Sequence, residues 1–149
     1  NIASSSDVTI NLQNVPTTEI RFDKCAFKIT NVYGVAEPIN VSRASGNVTF
    51  TGCEFDVNQT VTNNGVCCAL NASRLQAGAS LVIQNCKFNV VSSANAVCQV
   101  IDASYNYDNP VTITDNEAVL TFGGSAYHTF VASSLSTNAT VENNVLTGF

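Results

Sequence analysis

The stretch Val48-Thr-Phe-Thr-Gly-Cys53-Glu-Phe55 decides the fold, because related copies recur about every thirty residues along the 149-residue chain. Those copies begin at Ile20, Leu81, Val111 and Ala139. Each copy is a short run of alternating apolar and polar residues that leads into a cysteine or an asparagine. A fixed period of this length indicates stacked supersecondary units, so the repeat says more about architecture than about activity.

Three short strands are predicted in each repeat. The alternation in the first strand has a period of two, and its inward positions are Phe22, Phe50, Ile83, Ile113 and Val141. A second strand follows each cysteine or asparagine. A third is predicted later in the unit, at 39–42, 70–73, 101–104 and 131–134. The sequence therefore predicts an all-β fold, a single-stranded parallel β-helix (solenoid) of four to five coils, forming one domain over residues 1–149.

The residue that ends each first strand belongs to a column at the bend before the second strand. Its members are Cys25, Cys53, Cys86, Asn116 and Asn144. Equivalent side chains in neighbouring coils are expected to lie roughly 4.8 Å apart. Asparagines stacked in this way satisfy each other and the turn backbone, and cysteines fill the same position as small apolar groups. We therefore expect the column to be a structural ladder rather than a chemical site.

Composition limits the function classes. The chain is 45% hydrophobic and only 11% charged, with a net charge of −5. Its six Lys and Arg residues are not clustered, which argues against nucleic acid or an anionic membrane as partner. No apolar run has the length of a membrane span, so no membrane insertion of this segment is expected. With one histidine, His128, and no Cys-x-x-Cys motif, the sequence predicts no metal site and no cofactor.

Two of the six cysteines are candidates for a disulfide. Cys67 and Cys98 each precede a third-strand apolar residue by three positions, which predicts that they are neighbours in adjacent coils. A strand separation of about 4.8 Å falls within the range that a disulfide accepts. The column of Cys25, Cys53 and Cys86 could hold one further pair, or all three could stay reduced.

Five Asn-x-Ser/Thr sequons favour an extracellular or cell-surface glycoprotein. They are Asn40, Asn47, Asn58, Asn71 and Asn138. Asn40 and Asn71 share a column that is predicted to face outward from the third strand. Asn47 and Asn138 both come just before a first strand, so these four sites recur at equivalent positions of the repeat.

Acidic residues do not converge in the pattern that a hydrolase or lyase would need. Asp23 and Glu142 share an outward column but are several coils apart, too far to act as an acid/base pair. Glu54, Lys87 and Glu117 share another outward column and predict a surface ion ladder across coils. We therefore expect no catalytic residues and a protein that is not an enzyme.

The coil pattern resembles the pectin-lyase-like right-handed parallel β-helix repeats. It combines a Val-Thr-Phe-Thr strand, a Gly/Asn-Cys-x-Phe-x-Val strand and a later apolar-Asn-x-Ser segment. The Asn-Cys-x-Phe coils and abundant sequons are most similar to those of the dispersed-gene-family surface proteins of trypanosomes. This resemblance implies a parallel β-helix and a cell-surface or secreted glycoprotein that acts in adhesion or display. The catalytic motifs of lyase and hydrolase members have no matching positions here, so the resemblance implies no active site.

The expected function is therefore structural, adhesive or filament-forming. The alternative is a glycan-binding or polysaccharide-degrading β-helix, for which Tyr105 and Tyr107 offer a sugar-stacking spot. No charged or helical cap is evident at either end, so we expect an excerpt of a longer solenoid or subunits that stack end to end. The expected partners are accordingly a second copy or a continuation of the chain, together with glycans or other host or cell-surface ligands.

Overall fold

The computed structural model describes residues 7–31, 36–59, 66–93, 97–123, 127–132 and 138–149. Within them, fifteen strands form three parallel sheets of five strands each. The first sheet contains β2 (Glu19–Asp23), β5 (Asn47–Thr51), β8 (Leu81–Gln84), β11 (Val111–Thr114) and β14 (Ala139–Glu142). The second contains β3 (Ala26–Asn31), β6 (Glu54–Gln59), β9 (Lys87–Ser92), β12 (Glu117–Phe122) and β15 (Val145–Thr147). The third contains β1 (Asp7–Asn11), β4 (Ala36–Asn40), β7 (Val66–Asn71), β10 (Val97–Asp102) and β13 (Tyr127–Ala132).

Every strand pairs with its equivalent in the neighbouring coil, so the predicted all-β parallel solenoid is confirmed, with about four turns and three strands per turn. Phe50 pairs with Phe22 on one side and with Ile83 on the other. Register is strongly specified here, because a shift of one residue would turn every inward apolar side chain toward solvent.

The core is a continuous column of apolar side chains enclosed by the three sheets. Its widest part is aromatic: the rings of Phe55 and Phe88 stack with centroids 4.7 Å apart, and those of Phe22 and Phe50 stack at 5.0 Å. Phe130 of the third sheet meets Phe88 edge-on across the interior. Offset and edge-to-face ring pairs stabilise a core beyond the area that they bury.

The third strand lies earlier in each coil than predicted. In the structure it ends at Asn40, Asn71 and Asp102, whereas the sequence pattern placed its last two residues beyond each of those positions. The reason is an Asx turn: Oδ1 of Asn71 accepts hydrogen bonds from both the backbone N–H and the hydroxyl of Ser73, at 3.1 and 2.8 Å. A side chain that binds the backbone two residues on ends the strand at that point.

The chain turns at two corners through residues with positive φ. At the ladder corner, between the first and second strands, these residues are Lys24, Gly52, Asn85, Asp115 and Asn143. The second set follows the third strand, and we call it the arginine corner. It consists of Asn14, Arg43, Arg74 and Tyr105, with φ between 56° and 61°. Among the described residues, no helix has the length and apolarity needed to cross a membrane.

Candidate functional site

The predicted ladder forms, and its members share one hydrogen-bonding scheme. Asn116 donates through Nδ2 to the carbonyl of Ile83 in the preceding coil at 3.0 Å, and Asn144 donates in the same way to Ile113 at 2.9 Å. The cysteines use their thiols for the equivalent contact: Sγ of Cys86 lies 3.5 Å from the carbonyl oxygen of Phe50. Sγ of Cys53 lies 3.5 Å from the equivalent carbonyl oxygen, that of Phe22.

These contacts give the ladder a structural role. Burial raises the pKa of the Cys86 thiol to about 11, so this group stays protonated at neutral pH and is a poor nucleophile. Burial likewise raises the pKa of Cys53. Cys25 occupies the half-buried first position of the column, where its thiol lies 3.5 Å from the carbonyl of Asp23.

A second asparagine cluster was not predicted. Asn106 is completely buried and accepts a hydrogen bond from the backbone N–H of Leu75 at 2.7 Å, while its Nδ2 donates to the carbonyls of Ala72 and Ala103. Asn109 donates to the carbonyl of Leu75 at 3.0 Å. These contacts fasten the turn after the third strand of one coil to the same turn of the coil before it.

Cys67 and Cys98 occupy paired positions of β7 and β10, as predicted, and His128 follows in the same column. Both cysteines are buried free thiols. A hydrogen bond from Cys67 lowers the pKa of Cys98, and the same contact raises the pKa of Cys67. The two thiols therefore lie in adjacent coils where they influence each other's ionisation, and the disulfide between them stays a prediction.

The five sequons differ in exposure. Asn40 was predicted to face solvent, but it is buried, with 8% of its surface exposed, and Asn71 is half-buried. Both side chains form Asx turns. Asp102, in the coil after Asn71, forms the same turn with Ser104. Asn58 is also half-buried. Asn47 begins β5 and Asn138 directly precedes β14, and both are exposed. Glycosylation at any of the five stays a prediction.

The outer face of the second sheet carries the column of Glu54, Lys87 and Glu117 in the predicted register. Its side chains line an open depression of about 400 Å³. The predicted ion ladder does not form there: the only ion pair within the described residues joins Lys28 to Asp56 in the adjacent column. Exposed side chains on this face gain too little from pairing in water to hold one geometry.

The arginine corner carries the most distinctive outward surface. A groove of about 200 Å³ is lined by Arg43, Arg74 and Tyr105 together with the Asx-turn residues of three successive coils. The guanidinium of Arg74 lies over the Tyr105 ring, 4.7 Å from its centroid. In the part of the chain that the structure describes, neither arginine lies within ion-pair distance of a carboxylate. We call this depression the corner groove.

The corner groove is continuous with an exposed aromatic pair. Tyr105 and Tyr107 are 48% and 56% exposed, and their rings meet edge-on at 6.0 Å. With Asp108 and Asn109 they line a second depression of about 110 Å³ that shares Tyr105 with the corner groove. The two tyrosines are therefore adjacent and exposed, and sugar stacking on them stays a prediction. The arginines beside them are the residues that sequence reasoning missed.

Three residues at the arginine corner adopt a left-handed backbone conformation that their residue types disfavour. At the ladder corner, Gly52, Asn85, Asp115 and Asn143 are residue types that tolerate positive φ, and Lys24 is the exception. At the arginine corner, Arg43, Arg74 and Tyr105 adopt the same conformation without that tolerance. Strain of this kind costs of order 1 kcal/mol or more per residue.

A buried carboxylate lies behind the corner groove. Glu37 of β4 is only 8% exposed, and its Oε1 has no hydrogen-bond partner among the described residues. Burial raises the pKa of Glu37, a hydrogen bond with Asn71 lowers it, and the nearby charge of Asp102 raises it further. The carboxyl of Glu37 therefore ionises less readily than that of a solvated glutamate.

Neither a family model, nor a curated protein, nor a solved structure matches this chain. The architecture places it in the class of parallel β-solenoid proteins. Within the described residues, no three His, Cys, Asp or Glu side chains converge as metal ligands. The corner groove presents two guanidiniums as hydrogen-bond donors beside exposed aromatic rings.

Proposed function

We propose that this chain is a non-enzymatic, adhesive element of an extracellular or cell-surface glycoprotein and that it binds glycans at the arginine corner. The observation that carries the proposal is the exposed pair Tyr105 and Tyr107, continuous with a polar groove on a rigid solenoid. Aromatic rings supply flat apolar area for a sugar face, and the neighbouring polar groups supply hydrogen bonds.

The solenoid suits this role because it holds its turns in fixed register. Asn106 and Asn109, both buried, bond the tyrosine turn to the preceding coil through two carbonyls and one N–H. The binding surface is consequently preorganised, and a ligand that meets it does not have to order the turn first.

Glycan binding is tested by titrating the protein against a panel of neutral and acidic oligosaccharides and polysaccharides with isothermal calorimetry. Tyr107→Ala is the informative variant, since Tyr107 is more than half exposed and its removal leaves the Asn106 contacts in place. The matched control is Tyr127→Ala, an exposed tyrosine of β13. Binding that is lost in the first variant and kept in the second supports the proposal, and no binding to any glycan overturns it.

An assay of reaction products distinguishes the polysaccharide-degrading alternative from binding alone. If the corner groove only binds, incubation with the same polysaccharides yields neither unsaturated ends nor new reducing ends. Appearance of either would replace adhesion with catalysis. Self-association end to end also stays a prediction, and analytical ultracentrifugation over a concentration series measures it directly.

A further inference from the structure

We propose that the ligand of the corner groove is an acidic polysaccharide, whose carboxylate or sulfate group is held between Arg43 and Arg74. This inference rests on the proposed glycan-binding function and names the class of glycan. The two arginines are two of only six basic residues in the chain, and they occupy equivalent positions of successive coils.

The register of β4 and β7 places the two arginines where one anionic group would contact both guanidiniums. Arg43 and Arg74 follow paired strands and share the same left-handed backbone conformation, so their side chains leave adjacent coils in parallel, about 4.8 Å apart at the backbone. Arginine presents a rigid fork of N–H donors that matches carboxylate and sulfate oxygens. Both side chains are exposed, so their donors are available to a ligand.

Tyr105 continues this column one coil beyond Arg74. Because the Arg74 guanidinium lies over its ring, one ring face is covered and the Arg74 position is restrained. An anionic group held by the arginines places the next sugar toward Tyr105 and Tyr107. The glycan chain therefore runs along the solenoid axis, across the strands.

The acidic side chains nearby do not cancel the two arginines. Asp102 is the carboxylate of the groove, and its Oδ1 already accepts hydrogen bonds from the N–H and hydroxyl of Ser104, at 3.0 and 2.6 Å. Glu37 is buried behind the groove rather than in its lining. Within the described residues, the groove surface therefore offers two guanidiniums without an ion pair against one carboxylate that is engaged in its own turn.

Affinity is measured by isothermal calorimetry for hyaluronan, chondroitin sulfate and carboxyl-reduced hyaluronan. The first two probes distinguish carboxylate from sulfate as the recognised group, and the third keeps the sugar backbone without the charge. We expect Arg43→Gln and Arg74→Gln each to weaken binding of an acidic probe at least about tenfold, the loss typical of a charge-assisted hydrogen bond. Arg43→Lys, which keeps charge but not the fork, should bind weakly.

Controls separate this inference from loss of fold and from the proposed function. Arg21→Gln removes an exposed arginine of β2 on another sheet and should leave affinity unchanged. Circular dichroism and thermal unfolding check that each variant folds. Equal affinity for chondroitin sulfate, hyaluronan and carboxyl-reduced hyaluronan overturns the acidic-group inference and leaves glycan binding intact. Absence of binding to any polysaccharide overturns both, and binding of poly-glutamate with the affinity of the acidic glycans replaces them with acidic-peptide recognition.

Discussion

Asn116 donates a hydrogen bond through Nδ2 to Oδ1 of Asn144, 2.9 Å away in the next coil. The same Nδ2 donates backward to the carbonyl of Ile83, and Oδ1 of Asn116 accepts from the backbone N–H of Cys86 at 2.9 Å. One side chain thus joins three coils. Since Asn116 is 2% exposed, water cannot replace these partners if the amide is removed.

Asn116→Ala is expected to destabilise the protein by about 2–4 kcal/mol, because the Cys86 N–H and the Ile83 carbonyl both lose a partner inside the fold. Urea unfolding followed by circular dichroism measures the change. Asn116→Cys is the matched variant, since Cys86 makes the equivalent carbonyl contact with its thiol. Asn116→Cys should cost less than Asn116→Ala, and equal losses would contradict the interchange of cysteine and asparagine in the ladder.

Cys67 and Cys98 are expected to form a disulfide when the protein folds under oxidising conditions, because they face each other on paired strands. Closing a loop of about 30 residues stabilises a protein by about 4 kcal/mol in the chain-entropy model. Non-reducing peptide mapping should recover the linked peptides. Cys67→Ser should lower stability by more under oxidising conditions than under reducing conditions, and the difference measures the disulfide.

Cys53→Ser provides the control for that measurement. Cys53 is equally buried, but its thiol lies against the carbonyls of Phe22 and Thr51 in the ladder. Its replacement should change stability by the same amount with and without reductant. Recovery of a bridge that includes Cys53, or full alkylation of Cys67 and Cys98 after denaturation without reductant, would show that the predicted pairing is wrong.

The sequence specified the ladder and the sheets because these features repeat. Cys53, Cys86 and Asn116 each follow the same apolar alternation. Parallel stacking places the equivalent residues of successive repeats next to each other. The Asn106 cluster could not be found in this way, because the turn that carries it has no repeated copy. The structural role of Asn106 and Asn109 can be recognised only in the folded chain, where their amides bond to the backbone of Leu75.

The arginine corner carries a signal that sequence reasoning could have used. Arg43, Arg74 and Tyr105 each come directly after an Asn-x-Ser or Asp-x-Ser segment, so their common position in the repeat is visible without a structure. The left-handed conformation was hidden, because arginine and tyrosine are not the residues that normally mark it. The same segments were assigned to strands, which obscured the turn that orients the arginines.

Asn47 and Asn138 are expected to carry N-linked glycans after secretion from a eukaryotic host, whereas Asn40 is expected to stay unmodified. Asn47 and Asn138 are exposed, while the Asn40 side chain is buried and bonded to Ser42. Intact mass before and after deglycosylation counts the glycans, and peptide mapping assigns them. Asn47→Gln and Asn138→Gln should each remove one glycan.

For Asn40 the matched variant is Asn40→Asp, because Asp102 makes the same Asx turn two coils further on. Asn40→Asp abolishes the sequon and keeps an oxygen acceptor for the Ser42 N–H and hydroxyl. We expect no change in mass pattern beyond the substitution itself. Loss of a glycan in this variant would show that Asn40 is modified and that its burial does not protect it.

Glu37→Gln is expected to raise thermal stability at pH 7 and to leave it nearly unchanged at pH 4. Burial raises the pKa of Glu37 above its ordinary value of 4.5. Below that ordinary value the carboxyl is protonated in both the folded and unfolded states, so it carries no penalty. Glu37 ionises near its ordinary pKa in the unfolded chain, whereas in the folded protein it stays protonated to higher pH. The stability that the neutral carboxyl gives the folded state is therefore lost as pH rises through the raised pKa.

Each unit by which the pKa of Glu37 is raised corresponds to about 1.4 kcal/mol of lost stability at neutral pH. Glutamine is neutral at every pH and removes the repulsion with Asp102, so the gain should develop between pH 4 and pH 7. Glu54→Gln, an exposed glutamate of β6, is the control and should show little pH-dependent gain. A gain of equal size at pH 4 and pH 7 would instead assign the effect to packing, because only the ionised carboxylate of a buried Glu37 opposes folding.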